Sequence, residues 1–263
     1  IVYDQTAMNR LYQPEISTGG YGDKNFDDEF IWAACELFIT TGEEKYYTAV
    51  NMYPDERMPM PSWPNVRLLG YYSLLRNQQV SKNLIPPDIS KLKERMLTMA
   101  NDLVDGVNDR AYKTVMGKSA REFSWGSNSV AANQAIALIQ AYRLSADKKY
   151  LDGAVSNLDY LLGRNATGYS YVTGYGSKTP MFPHHRPSLA DRTEEPVPGL
   201  LVGGPNPGKQ DGVALPSSFP DEAYIDHPDS YATNEIAINW NAPLVYLVWA
   251  IEALQYTSGY SEK

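Results

Sequence analysis

Apolar positions recur at helical spacing from Asp28 to Leu162, and again near the end of the chain. The first clear pattern runs from Asp28 to Thr41. Phe30, Ala34, Leu37 and Phe38 mark one face, and Gly42 is its stop. Glu43 to Tyr53 predicts a shorter second helix and Val66 to Arg76 a third. Between them, Pro54 to Pro64 holds four prolines and is a connection. Pro86 and Pro87 break the chain, and Asp88 caps a long fourth helix to about Asn108. Arg110 to Trp125 follows as a loop or short extended piece. Asn128 to Leu144 is a fifth helix and Lys148 to Leu162 a sixth, closed by Gly163. The last takes Asn241 to Gln255, where the run PLVYLVWAIEAL predicts a buried helix.

Residues 164–238 carry almost no helical period. They hold much Gly and Pro and all three histidines. A structureless stretch of this length is uncommon in a compact domain and is usually functional. About seven helices with short connections predict an all-α fold of stacked antiparallel pairs. No repeat of fixed period is visible, and β structure is limited to short pairs such as Tyr169 to Thr173.

Composition narrows the partners. The 263 residues suffice for one large domain or two small ones, and 43% hydrophobic content supports a core. With 23 basic and 31 acidic residues the net charge is −8, which argues against nucleic acid or an anionic membrane as partner. No stretch approaches the ~18 apolar residues of a membrane span. No signal peptide opens the chain, and Ile1 to Arg10 has the character of mid-protein sequence, so a longer parent is expected. The single cysteine, Cys35, excludes an intrachain disulfide and sits in a helical pattern as a small core residue. Tyrosine is abundant: 20, beside 5 Trp and 6 Phe. Tyr and Trp rings have flat apolar faces and a polar edge that suit sugars. They would equally suit half-buried sites between helices.

Two polar stretches carry candidate chemistry. From Tyr224 to Ala242 the chain reads YIDHPDSYATNEIAINWNA, with Asp226 and Glu235 among Tyr224, Tyr231 and Trp240. A carboxyl beside aromatic faces can keep its proton near neutral pH, as a general acid requires. Asp and Asn before a helix also serve as caps. Ser170 to Arg186 reads SYVTGYGSKTPMFPHHR. If extended, His184 and Arg186 face one side, where they can contact sugar hydroxyls or orient a carboxylate. They would otherwise pin loop backbone. Metal binding by His184 and His185 has no third ligand nearby in sequence.

Together these stretches resemble the signature regions of glycoside hydrolase family 9, the inverting endoglucanase family. The first is Ser170-x-Val172-Thr173-x-x-Gly176-x-Lys178, then Pro183-His184-x-Arg186. The second is Tyr224-x-Asp226, Tyr231, Glu235-x-Ala237 and Asn241-Ala242. DDEFIWAACELFITTG, FSWGSNS, YLLGRN and EEPVPGLLVGGPN extend the resemblance along nearly the whole chain. It implies an (α/α)6 toroid of twelve helices, of which this chain supplies roughly the C-terminal half. It implies Glu235 as general acid and Asp226 as organiser of the site. His184 and Arg186 would contact the sugar, with Trp125, Trp240 and Tyr231 lining the cleft. The family's general base lies in an Asp-Ala-Gly-Asp type motif, which this chain lacks. The chain is therefore expected to need its N-terminal half for activity. The implied substrate is a β-1,4-glucan, the implied location secreted or periplasmic.

No cofactor is implied for the chemistry. Structural calcium is implied near Asp23, Asn25, Asp27, Asp28 and Glu29. A further ligand is expected in Ser62-Trp63-Pro64-Asn65, where Asn65 replaces the expected acid. The spacing excludes an EF-hand, and helix capping by Asp27 or Asp28 is the competing reading. Two other functions fit the motifs: a glucosaminidase acting on chitosan oligosaccharides, and a non-catalytic carbohydrate-binding fragment.

Overall fold

The computed structural model describes residues 25–77, 88–190 and 193–259. Most of the glycine-rich loop from Ser17, with Asp23, and the Pro86–Pro87 break lie outside the described residues.

Nine α-helices are formed among the described residues: α1 (Asp27–Thr41), α2 (Glu44–Thr48), α3 (Arg67–Asn77), α4 (Ile89–Val104), α5 (Ser127–Ser145), α6 (Lys148–Leu161), α7 (Arg186–Ala190), α8 (Tyr231–Asn234) and α9 (Ile238–Ser258). Isolated bridges are the only β pairing among these residues. The six long helices fall where hydrophobic period placed them. The predicted second helix shortens to α2, and the fourth ends at Val104 instead of Asn108. Asp88 stands at the N-cap of α4, but its side chain makes no capping hydrogen bond.

The buried stripe of α1 is Ile31, Ala34, Cys35 and Phe38, a regular i, i+3, i+4, i+7 series. Phe30 is only half-buried and Leu37 is 41% exposed, so the stripe is rotated from the predicted one. Gly70 of α3 explains why. A Cβ there would stand 2.9 Å from Trp32 Cα and 3.0 Å from Cys35 Sγ. Glycine lets the two helices meet along that line, and burial pushes the Cys35 thiol up to about 12. Such a thiol is inert as a nucleophile.

Helix α5 lies at the centre, packed against α4, α6 and α9. Small residues at 131, 132, 135, 137 and 141 are fully buried and permit close approach on all sides. Polar side chains tie it to α6: Asn157 Nδ2 of α6 donates to Gln134 Oε1 at 3.0 Å and to Ala131 O at 2.9 Å. Helix α9 departs from the predicted burial. Leu244 and Leu247 face the core, but Ile238 (90%), Trp249 (69%), Val245 (57%) and Tyr256 (55%) stand exposed.

The irregular segment between α6 and α9 folds over one end of the helices. Bridges join Val172 to Leu201, His184 to Glu235 and Val202 to Ile236. Much of the tyrosine surplus is structural. Tyr171, Tyr224 and Tyr160 are buried, with Tyr171 and Tyr224 ring centroids 5.1 Å apart.

Candidate active site

Glu235 follows the single turn of α8, and its N–H donates to Tyr231 O at 3.0 Å. A parallel bridge sets it beside His184, whose N–H donates to Asn234 O at 2.8 Å. The two signature stretches thus meet through their backbones. Across from them, the Trp125 indole Nε1 donates to Glu235 Oε2 at 2.9 Å. The Tyr231 ring lies between Trp125 and His184, with centroids 5.6 Å and 6.0 Å away. Its hydroxyl donates to Gln210 O at 2.9 Å, which fixes the ring. Trp125 and His184 are exposed and Glu235 is half-buried, so the group opens to solvent.

Asp226 reaches the site as a clamp. Its Oδ2 accepts from Met181 N at 2.8 Å and its Oδ1 from Phe182 N at 3.0 Å. Asn234 Nδ2 donates to the same Oδ1 at 3.1 Å. One carboxylate therefore ties the His184 loop to the Glu235 turn. The Tyr224 hydroxyl completes this network by donating to Asn234 Oδ1 at 2.6 Å. Burial, and then the Asp226 charge, push the Tyr224 phenol well above its ordinary value and keep that donor protonated.

Arg186 is exposed at the first residue of α7. The extended reading of 184–186 does not hold, because a helix starts where the strand was expected to continue. Trp240 also departs from expectation. It is 8% exposed and wedges beneath Gly126 and Gly203, where a Cβ on either would meet its ring at 2.7 and 3.2 Å. It packs beneath these two turns and offers no open face for sugar.

Residues that sequence reasoning left without a role hold this geometry. Asn128 Nδ2 donates to Val202 O at 2.8 Å, and Asn206 Nδ2 to Ala232 O at 3.0 Å. Asn241 Oδ1 accepts from Leu201 N at 2.8 Å. Asp211 Oδ2 accepts from Ser230 Oγ at 3.0 Å and Ala232 N at 2.9 Å. Asn128, Asn206 and Asn241 fall inside the quoted stretches, whereas Asp211 lies outside them and carried no sequence signal.

At the candidate metal residues, Asp27, Asp28 and Glu29 form the first turn of α1, and Phe26 is the N-cap without a side-chain cap. Asp28 is buried and its Oδ2 accepts from Val66 N at 2.6 Å, so it ties α1 to the 62–65 turn. Asn65 Oδ1 is buried with no hydrogen-bond partner among the described residues. No group of three or more His, Cys, Asp or Glu poised for a metal occurs among those residues. None of the described helices is long and apolar enough to cross a membrane.

The model of glycosyl hydrolase family 9 matches residues 2–248. A xyloglucan-specific endo-beta-1,4-glucanase of Bacteroides ovatus is 44% identical over 253 residues, 96% of this chain and 43% of that protein. Endoglucanase D of Acetivibrio thermocellus is 34% identical over 238 residues, 89% of this chain and 35% of its own length. Among solved structures, a family member from Bacteroides ovatus superposes with a TM-score of 0.84 at 41% identity, over 96% of this chain and 44% of that one. A complex of AaCel9A with cellobiose-like isofagomine gives 0.78 at 35% identity, over 91% and 46%. These neighbours have the (α/α)6 toroid, and the helices described here follow it. The chain spans less than half the length of these relatives. Agreement along almost all of its residues, in sequence and in backbone, has one meaning: this chain belongs to glycosyl hydrolase family 9.

Proposed function

We propose that this chain carries the proton-donating side of a β-1,4-glucan hydrolase site, with Glu235 as general acid of an inverting cleavage. The observation behind this is the Glu235 carboxyl, held 2.9 Å from Trp125 Nε1 beside the exposed His184 and the Tyr231 ring. An acid in that setting can protonate the leaving glycosidic oxygen while the aromatic faces pack against sugar. Inversion needs a second carboxylate about 6.5–9.5 Å away to activate water. Asp226 is a poor candidate, since backbone donors engage both its oxygens. The family resemblance puts the base in an Asp-Ala-Gly-Asp type motif that this chain lacks, so the base is assigned to a longer protein, from a part this chain does not contain. The open apolar face of α9 and the relatives' greater length support that assignment.

The substrate class follows the relatives: a β-1,4-linked glucan, with xyloglucan favoured by the 44% identical xyloglucan-specific protein. A polymer of this kind puts the enzyme outside the cell or in the periplasm. Calcium is proposed as a structural ion near Asp27, Asp28, Glu29 and Asn65. The buried, unsatisfied Asn65 oxygen and its acidic neighbours are hard donors of the type it takes. Melting with and without chelator tests this; an unmoved midpoint removes it.

The functional reading is tested by assaying the longer protein and this chain on xyloglucan, carboxymethylcellulose and chitosan oligomers. The longer protein should cleave the glucans with inversion, its Glu235→Gln variant should bind but not cleave, and this chain alone should be inactive. Full turnover by the isolated chain would assign the base to residues within it.

A further inference from the structure

Trp125 was expected to line the cleft as an aromatic platform. Its ring nitrogen does something more specific. We propose that Trp125 is a positioning residue for the acid, whose indole N–H fixes the Glu235 carboxyl and selects Oε1 as the oxygen that delivers the proton. The proposal rests on the assignment of Glu235 as general acid.

An indole nitrogen only donates. Its bond to Oε2 at 2.9 Å therefore favours the form of the acid in which Oε2 is the carbonyl-type acceptor and Oε1 carries hydrogen. In the reaction the Oε1 proton passes to the glycosidic oxygen as the bond from that oxygen to the anomeric carbon breaks. Water adds to the anomeric carbon and yields a proton to the second carboxylate. The Glu235 carboxylate left behind keeps the indole N–H on Oε2. That hydrogen bond becomes charge-assisted as the proton departs, so it strengthens toward the transition state.

The geometry is held from several directions. Gly126, next to Trp125, has φ +80 and lies against the Trp240 ring. Asn128 is bound through its N–H to Gly203 O at 3.0 Å and through its side chain to Val202 O at 2.8 Å. Val202 is bridged to Ile236, the residue after the acid. The turn bearing the donor and the turn bearing the acid are thus parts of one backbone network. A ring that served only to stack on sugar would not need its nitrogen aimed at a carboxylate.

The test is Trp125→Phe in the longer enzyme, which keeps the ring face and removes the donor. On glucan, whose sugar leaving group needs a proton, kcat should fall about ten- to hundredfold while KM stays nearly constant. On 2,4-dinitrophenyl β-cellobioside, whose leaving group departs without protonation, the loss should largely vanish. An equal loss on both substrates, or a loss confined to KM, would overturn the positioning role and leave a stacking platform. Glu235→Gln is the parallel control. If it retains glucan cleavage, the general-acid assignment fails instead. Should Trp125→Phe misfold, the ¹⁵N-labelled isolated chain gives an independent reading. The Trp125 indole resonance should move in Glu235→Ala, and an unmoved resonance would refute the contact.

Discussion

Asp226 acts on its site without being free to react. Its oxygens accept the Met181 and Phe182 N–H groups, which hold the loop that presents His184. Asp226→Asn substitutes a donor for one acceptor and sets it against a backbone N–H. Hydrogen exchange at residues 181–184 should rise, and glucan hydrolysis by the longer enzyme should fall about a hundredfold through misplacement alone. Unchanged exchange would remove the clamp. A second carboxylate adds a small pH-dependent contribution to stability. The Arg57 hydrogen bond first, and Arg67 beside it, hold Asp55 at about 2, below its ordinary value. A lowered carboxylate stabilises the fold above its ordinary range, and that contribution is lost as pH falls toward 2. Urea midpoints of wild type and Asp55→Asn should therefore differ most near neutrality and converge at about pH 2. Solvent screens this group, so its charge contributes roughly 1 kcal/mol or less.

At the scale of elements, the junction of α5 and α9 decides where the chemistry sits. Gly126 meets both requirements that demand glycine: a left-handed backbone and a ring 2.7 Å from where a Cβ would be. Gly126→Ala should cost about 1–3 kcal/mol in urea unfolding and displace Trp125. Trp240→Ala separates a supporting ring from a sugar platform. The buried role predicts a loss of about 3–5 kcal/mol in stability. Weaker substrate binding with an unmoved melting temperature would return Trp240 to the cleft surface. The helices themselves were legible because periodic apolar positions need no partner to be recognised. Which stripe of α1 is buried was not, since the contact with α3 depends on Gly70, far along the chain.

For the whole molecule, the exposed side of α9 is the feature that the helix's own sequence misrepresents. Its apolar run predicts burial, yet Ile238, Val245, Trp249 and Tyr256 face solvent. A contiguous face of that kind marks an interaction surface. The isolated chain should bind a hydrophobic dye strongly, and Trp249→Glu should reduce that binding while leaving the chain's melting temperature nearly unchanged. Strong dye binding that persists in the variant would locate the open surface elsewhere.

The sequence by itself determined the six long helices and the extent of the irregular segment, and it marked the two motifs that bear Glu235 and His184. Each of these is written in local spacing or residue order. Only the tertiary structure decided that Trp125 points its nitrogen at Glu235, that Trp240 is buried and that Asp226 spends its oxygens on the backbone. Those outcomes depend on approach distances between segments remote in sequence. A residue's type gives its bonding capacity, and packing alone decides which partner uses it.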